Sequence, residues 1–162
     1  MHPCIRMPRG ALEILAAAVL TLGGCTSVPQ ATGERDAEAK RFMARPDAAT
    51  IYVYRDDFAA VEPATENNTV LYVDGRLIGA TLPQTFFRFD VRAGEHLLHG
   101  FAYDQGTLKM NTRSGEIYFV SLQVTGGTSR FALVKPETGK GDILRCCALL
   151  NNWAPGQRPF LR

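Results

Sequence analysis

Apolar and polar positions change their rhythm four times along the chain. Residues 14–22, Ile14 to Leu22, form an apolar run broken only by Thr21, with Arg6 and Arg9 ahead of it and Glu13 at its edge. The run is too short to cross ~30 Å of hydrocarbon, which takes about 20 apolar residues. A charged start, a short apolar run and the small residues Gly23 and Gly24 form the pattern of a secretory leader. Residues 26–35 carry few large apolar groups and read as a tether. Asp36 to Ala44 predicts a short helix with Asp36 as N-cap and Pro46 as its stop, and Phe42 is its one large apolar contact.

From Thr50 the period becomes two, with β-branched and aromatic residues. Thr50–Arg55 (TIYVYR) is a strand, and Thr69–Val73 (TVLYV) is the next. Asp74-Gly75 comes next, a favoured two-residue hairpin turn because both positions need positive φ. Arg76–Thr81 returns and Pro83 ends it. Thr85–Val91 (TFFRFDV) sets Phe87, Phe89 and Val91 on one face. Ala93-Gly94 turns into a strand over Glu95–Tyr103, and Thr107–Thr112 reads as an edge strand. Ser114-Gly115 turns into Glu116–Val124, where Tyr118, Val120, Leu122 and Val124 share a face, and Arg130–Val134 is the last strand.

Strands this short, with turns between them and no room for crossover helices, predict a mainly β fold: an antiparallel β-sandwich of about 7–8 strands. After Pro136 the period returns toward 3.6. Asp142 is a candidate N-cap, and Ile143, Leu144, Cys147 and Leu150 form an apolar stripe. This short C-terminal helix should cover an edge or an open end of the sandwich. The organisation is therefore a leader (1–24), Cys25 with a tether and short helix (25–48), a β-sandwich (49–135), a C-terminal helix (136–152) and a tail (153–162).

Composition narrows the function. The formal net charge of the 162 residues is +2, and no basic run stands out, so nothing suggests nucleic-acid binding. Of the 4 cysteines, Cys4 lies in the leader, Cys25 closes it, and Cys146 and Cys147 are adjacent. No second Cys or His pair completes a zinc spacing.

Leu22-Gly23-Gly24-Cys25 resembles the bacterial lipobox. The resemblance implies cleavage before Cys25 and acylation of its sulfur and new amine. Two or more acyl chains anchor a protein stably, at ~0.8 kcal/mol per buried methylene. Thr26 stands where an aspartate would favour inner-membrane retention, so the resemblance implies the outer membrane, with the domain facing the periplasm. In order, Ile51-Tyr-Val-Tyr-Arg55, Val73-Asp-Gly75 with Ile78-Gly79, Phe87–Val91, Ala93-Gly94-Glu95-His96 and Gly115-Glu-Ile-Tyr-Phe119 resemble the bacterial lipoprotein family known as domain of unknown function 2846. Ala93 replaces a usual proline and Phe119 a common tyrosine. The resemblance spans residues 50–135, implies a small sandwich related to PEGA repeats, and brings no catalytic residues.

Candidate chemistry is sparse. His96 and His99, three apart on a strand, point to opposite faces and cannot converge on a metal. Asp56-Asp57 with Glu62 and Glu66 lacks the alternation of a calcium loop. Asp74 is explained by its turn. Cys146-Cys147 lacks the redox Cys-x-x-Cys arrangement, and adjacent cysteines form only a strained eight-membered ring; Cys147 should be a core residue, with Cys146 about 100° away and exposed, as structural thiols or, in an oxidising periplasm, with an intermolecular disulfide as the alternative. Arg55 beside Tyr52 and Tyr54 could form a stacking surface for an anionic ligand, a glycan or a partner. Against this, Ile51 and Val53 would face the core while the tyrosines cover the sheet's other side or meet the C-terminal helix. No nucleophile–base pair, carboxylate pair, metal cluster or cofactor motif is evident. The expected function is non-catalytic: docking of an envelope protein, or alternatively binding of glycan or peptidoglycan.

The anchor is testable directly. Cys25→Ser should abolish labelling by radioactive palmitate and leave uncut, mislocalised precursor on fractionation; normal membrane retention of that variant would remove the lipobox.

Overall fold

The computed structural model describes residues 30–56, 69–100, 106–125 and 128–151. Its elements are α1 (Gly33–Ala39), β1 (Ala49–Arg55), β2 (Val70–Val73), β3 (Arg76–Ala80), β4 (Thr85–Val91), β5 (Gly94–His99), β6 (Thr107–Thr112), β7 (Ile117–Thr125), β8 (Thr128–Val134), α2 (Pro136–Cys146) and β9 (Ala148–Leu149). The fold is mainly β, as the period-two pattern predicts. One sheet has the order β8-β7-β1-β4-β9 and the other β3-β2-β5-β6.

The hairpins obey local turn chemistry. Asp74 and Gly75 take φ of 51° and 73°, the left-handed pair of a two-residue turn, and join β2 to β3. Leu71 pairs Gly79 while Tyr72 pairs Leu77, so Ile78 is the extra residue of a bulge.

Two pairings depart from the antiparallel expectation. β1 runs parallel to β7, with Tyr52 opposite Phe119, and β4 runs parallel to β9. Between β1 and β7 the described residues build β4 of the same sheet and all four strands of the second sheet, so strands carry the crossover there.

Inward residues of both sheets form one core. Ile51, Val53, Phe87, Val120 and Leu122 from the five-stranded sheet meet Leu71, Val73, Leu98 and Met110 from the other. A second cluster lies on the outer face of the five-stranded sheet, where Tyr52, Tyr54, Phe86 and Phe119 pack against Ala39 of α1, Ile143 of α2, and Cys147 and Leu149. The helices, the five-stranded sheet and the four-stranded sheet are thus three layers.

The helices differ from their sequence reading in informative ways. α1 begins earlier than Asp36: Thr32 is its N-cap, and its hydroxyl accepts from Arg35 N at 3.4 Å. Asp36 lies inside the helix, where one carboxylate oxygen pairs with Lys40 at 2.8 Å and the other accepts from Leu149 N at 2.8 Å. α2 starts at Pro136, whose fixed φ and missing N–H suit a first helical position, so Asp142 is an interior residue rather than a cap. The helix ends at Cys146, which puts Cys147 and Leu150 beyond it and leaves Leu144 60% exposed. It covers a sheet face, not an edge; the edge beside β4 is taken by β9.

α2 approaches the sheet through a glycine. A Cβ at Gly139 would overlap the side chain of Phe119, whereas one at Gly141 would meet nothing within 4 Å. Both lie in the same helix, so alanine gains the same propensity at each, about 0.5–1 kcal/mol. Urea unfolding should therefore show Gly141→Ala neutral to stabilising and Gly139→Ala destabilised by about 1–3 kcal/mol through overpacking; equal effects at the two positions would contradict the contact.

Candidate functional site

Tyr52, Tyr54 and Arg55 do not form a solvent surface. Their exposures are 0%, 2% and 1%. Strand alternation also separates them: the two rings lie outward under the helices, and Arg55 continues the inward series of Ile51 and Val53. There its Nη1 donates to Thr81 Oγ1 at 3.3 Å. The ligand surface expected from these three residues is corrected accordingly, because adjacent strand positions cannot present one face.

The tyrosines hold the helices. Tyr52 stacks on Phe119 at 5.1 Å between centroids and lies 5.3 Å from Phe42, while its hydroxyl donates to Ala39 O at 2.7 Å. Tyr54 donates to Asp142 Oδ2 at 2.7 Å, and Arg145 donates to the other oxygen of that carboxylate at 2.8 Å. Burial, reinforced by the Asp142 hydrogen bond, pushes the Tyr54 phenol well above its ordinary value. Burial raises Tyr52 as well.

His96 and His99 stand on opposite faces of β5. His96 turns inward. Its Nδ1 lies 2.7 Å from Asp74 Oδ2 and its Nε2 2.7 Å from Arg92 O. Asp74 Oδ1 also accepts from Leu97 N at 2.9 Å. Asp74 therefore does more than shape its own turn: its carboxylate ties the β2–β3 turn to the start of β5. His99 turns outward and stacks on Tyr72 at 4.9 Å, with an interplanar angle of 2°.

That pair marks a face that the sequence pattern did not single out. On the four-stranded sheet Val70, Tyr72, Leu77, Leu97 and His99 are outward and partly exposed, and no described helix covers them. Beside them opens a cavity of about 320 Å³ lined by Asp74, Glu95, His96, Lys109 and Asn111. The available signal was the register: a two-residue turn after Val73 sets Tyr72 and Leu77 on the same side, opposite the buried Leu71 and Val73.

Cys25, Asp57, Glu62 and Glu66 lie outside the described residues, as do the tail residues Trp153 and Phe160. Asp56 lies 3.9 Å from Arg145. Cys146 and Cys147 are joined to each other as a disulfide, in place of the structural thiols or the intermolecular disulfide weighed from the sequence; Cys147 is buried, and Cys146 is partly exposed. Among the described residues no group of 3 or more His, Cys, Asp or Glu side chains is arranged to hold a metal. Among those residues no helix is long and apolar enough to cross a membrane.

Comparison with known proteins gives a family and a relative. The family model described as Protein of unknown function (DUF2846) matches residues 45–136. An uncharacterized protein of Haemophilus influenzae is 31% identical over 137 residues, covering 81% of this chain and 79% of the relative. No solved structure matches.

Tyr54 yields a pH test. A phenol whose folded pKa is raised contributes stability that is complete below its unfolded pKa, about 10, and is lost as pH rises beyond it. Tyr54→Phe should cost about 1.5 kcal/mol at pH 7 through the lost hydrogen bond to a carboxylate. It should also lose less further stability than the parent above pH ~10, where the unfolded tyrosine ionises. Parallel alkaline limbs for the two proteins in urea unfolding would contradict this.

Proposed function

The chain belongs to the DUF2846 family, and we propose that it is a lipid-anchored, non-catalytic docking module of the outer membrane that takes a protein partner of the cell envelope on its four-stranded face. The observation that carries this reading is the asymmetry of the two sheets. One has its outer face sealed by two helices, whereas the other exposes Val70, Tyr72, Leu77, Leu97 and His99 in part, with no described helix over them. Rigid aromatic anchors on regular strands are the groups that dominate protein interfaces. Polar side chains at Glu95, Lys109 and Asn111 provide a rim around the apolar centre. The lipobox-like Cys25 supports the membrane placement.

A second reading, glycan or peptidoglycan binding, is favoured by one feature. The stacked Tyr72 and His99 rings lie near a cavity whose Asp74, Glu95, Lys109 and Asn111 could meet hydroxyl and amide groups.

In-cell crosslinking of the full chain, with mass spectrometry of what copurifies, separates the two. The docking reading expects a stoichiometric envelope protein whose recovery falls about tenfold or more in Tyr72→Ala, the loss of one hot-spot ring. Leu133→Ala, 54% exposed on the edge strand β8, should leave recovery unchanged. Sedimentation of the chain with sacculi, lost in Tyr72→Ala and without a protein partner, would overturn docking in favour of glycan binding. Recovery unaffected by Tyr72→Ala would remove this face from either role.

A further inference from the structure

The Cys146–Cys147 pair is unused by the docking reading, and its surroundings are not symmetrical. The sulfurs are bonded across a sequence separation of 1, with Cα atoms 3.7 Å apart. Cys146 closes α2 and is partly exposed; Cys147 is 4% exposed and packs with Tyr54 and Phe86 in the outer cluster. We infer that this disulfide is a reversible redox site, opened from the Cys146 side by a dithiol reductant, and that its state sets how firmly strand β9 is held to the sheet.

Exposure dictates the direction of attack. Cys146 is the more exposed of the two residues, so the thiolate of the dithiol attacks its sulfur. It forms a mixed disulfide there, and the Cys146–Cys147 bond breaks with its electron pair leaving on Cys147, which takes a proton. The second thiol of the reductant then displaces the Cys146 sulfur, which is protonated in turn. The reductant becomes a disulfide, and the protein gains two electrons and two protons. The buried product is provided for: Cys147 Sγ lies 3.4 Å from the Arg55 carbonyl oxygen, an acceptor that the disulfide cannot use and a thiol can.

The consequence falls on the segment immediately after Cys147. The Cys147 backbone is extended, with φ −115° and ψ 139°, and its N–H still reaches Ile143 O at 3.1 Å. The next residues form a strand of 2 residues, too short to hold itself. Its ties are Ala148 N to Gln84 O at 3.0 Å, Leu150 N to Phe86 O at 2.9 Å and Leu149 N to Asp36 Oδ1 at 2.8 Å. In return Ala31 N donates to Leu149 O at 2.9 Å, so β9 fastens the chain ahead of α1 as well. The ring restricts the torsions at the point where α2 hands over to this strand. Opening it restores that freedom to the locally opened state and raises the opening frequency, while the sandwich core contains neither sulfur.

The test uses the full chain, with and without dithiothreitol, and assigns each cysteine by peptide mapping. The oxidised protein should leave Cys146 and Cys147 unmodified by iodoacetamide. Brief reduction should add two hydrogens and make Cys146 alkylate before Cys147. Amide exchange over residues 147–151 should quicken about tenfold on reduction, with β1 and β7 unchanged, and return on reoxidation. Cys146→Ser, which keeps the buried Cys147 thiol, should exchange like the reduced protein without any reductant. Alkylation of both cysteines before reduction, or exchange over 147–151 that ignores the redox state, would overturn the inference.

Discussion

Everything in the fold depends on burying one strand from both sides. All 7 residues of β1 are buried, and its backbone is paired on both edges, antiparallel to β4 and parallel to β7. Buried backbone groups demand such partners. Its inward side chains nucleate the inter-sheet core, and its outward tyrosines need a third layer. Tyrosine suits that second task better than phenylalanine. The ring supplies roughly 1.5–3 kcal/mol of burial, as a fully buried phenylalanine would, and the hydroxyl adds a directional tie. The Tyr52 hydroxyl holds the last carbonyl of α1, and the Tyr54 hydroxyl holds Asp142 in α2. Two residues separated by one position therefore place both helices.

What could be read from the sequence was local. Hairpins are specified by a few adjacent residues, and Asp74-Gly75 lies where its positive φ values require. The alternation of Ile51 and Val53 with Tyr52 and Tyr54 also showed a strand with two apolar faces. Nothing local encodes which strands become neighbours across the whole second sheet, so the parallel β1–β7 pairing was not legible. The helix starts escaped for a related reason. Asp36 and Asp142 have the chemistry of N-caps, but each carboxylate is committed elsewhere, to Leu149 N and to Tyr54 and Arg145. Tertiary partners outweighed a capping preference of about 1 kcal/mol.

The two motifs behind the family resemblance illustrate the same point. Val73-Asp-Gly75 and Gly94-Glu95-His96 each read as turn chemistry alone. In space the Asp74 carboxylate joins His96 Nδ1 and Leu97 N, so the two turns brace each other. A neutral imidazole can donate to only one of the two oxygens that His96 faces, so its tautomer decides which of them it holds. The brace fixes one end of the four-stranded sheet, where Asp74, Glu95 and Lys109 line the cavity.

A division of labour between the sheets results. The five-stranded sheet commits its outer face to internal packing, and the strand β9 and helix α1 are stapled onto it through Asp36 and Leu149. Among the described residues, no helix covers the outer face of the four-stranded sheet, and its inner face carries the core. Its outer residues Tyr72 and His99 sit on hydrogen-bonded neighbours, β2 and β5, rather than on loops, so their ring geometry is set by the ladder. On the docking proposal, a surface built this way would leave little side-chain ordering for binding to supply, which is one of the costs that separate buried apolar area from affinity.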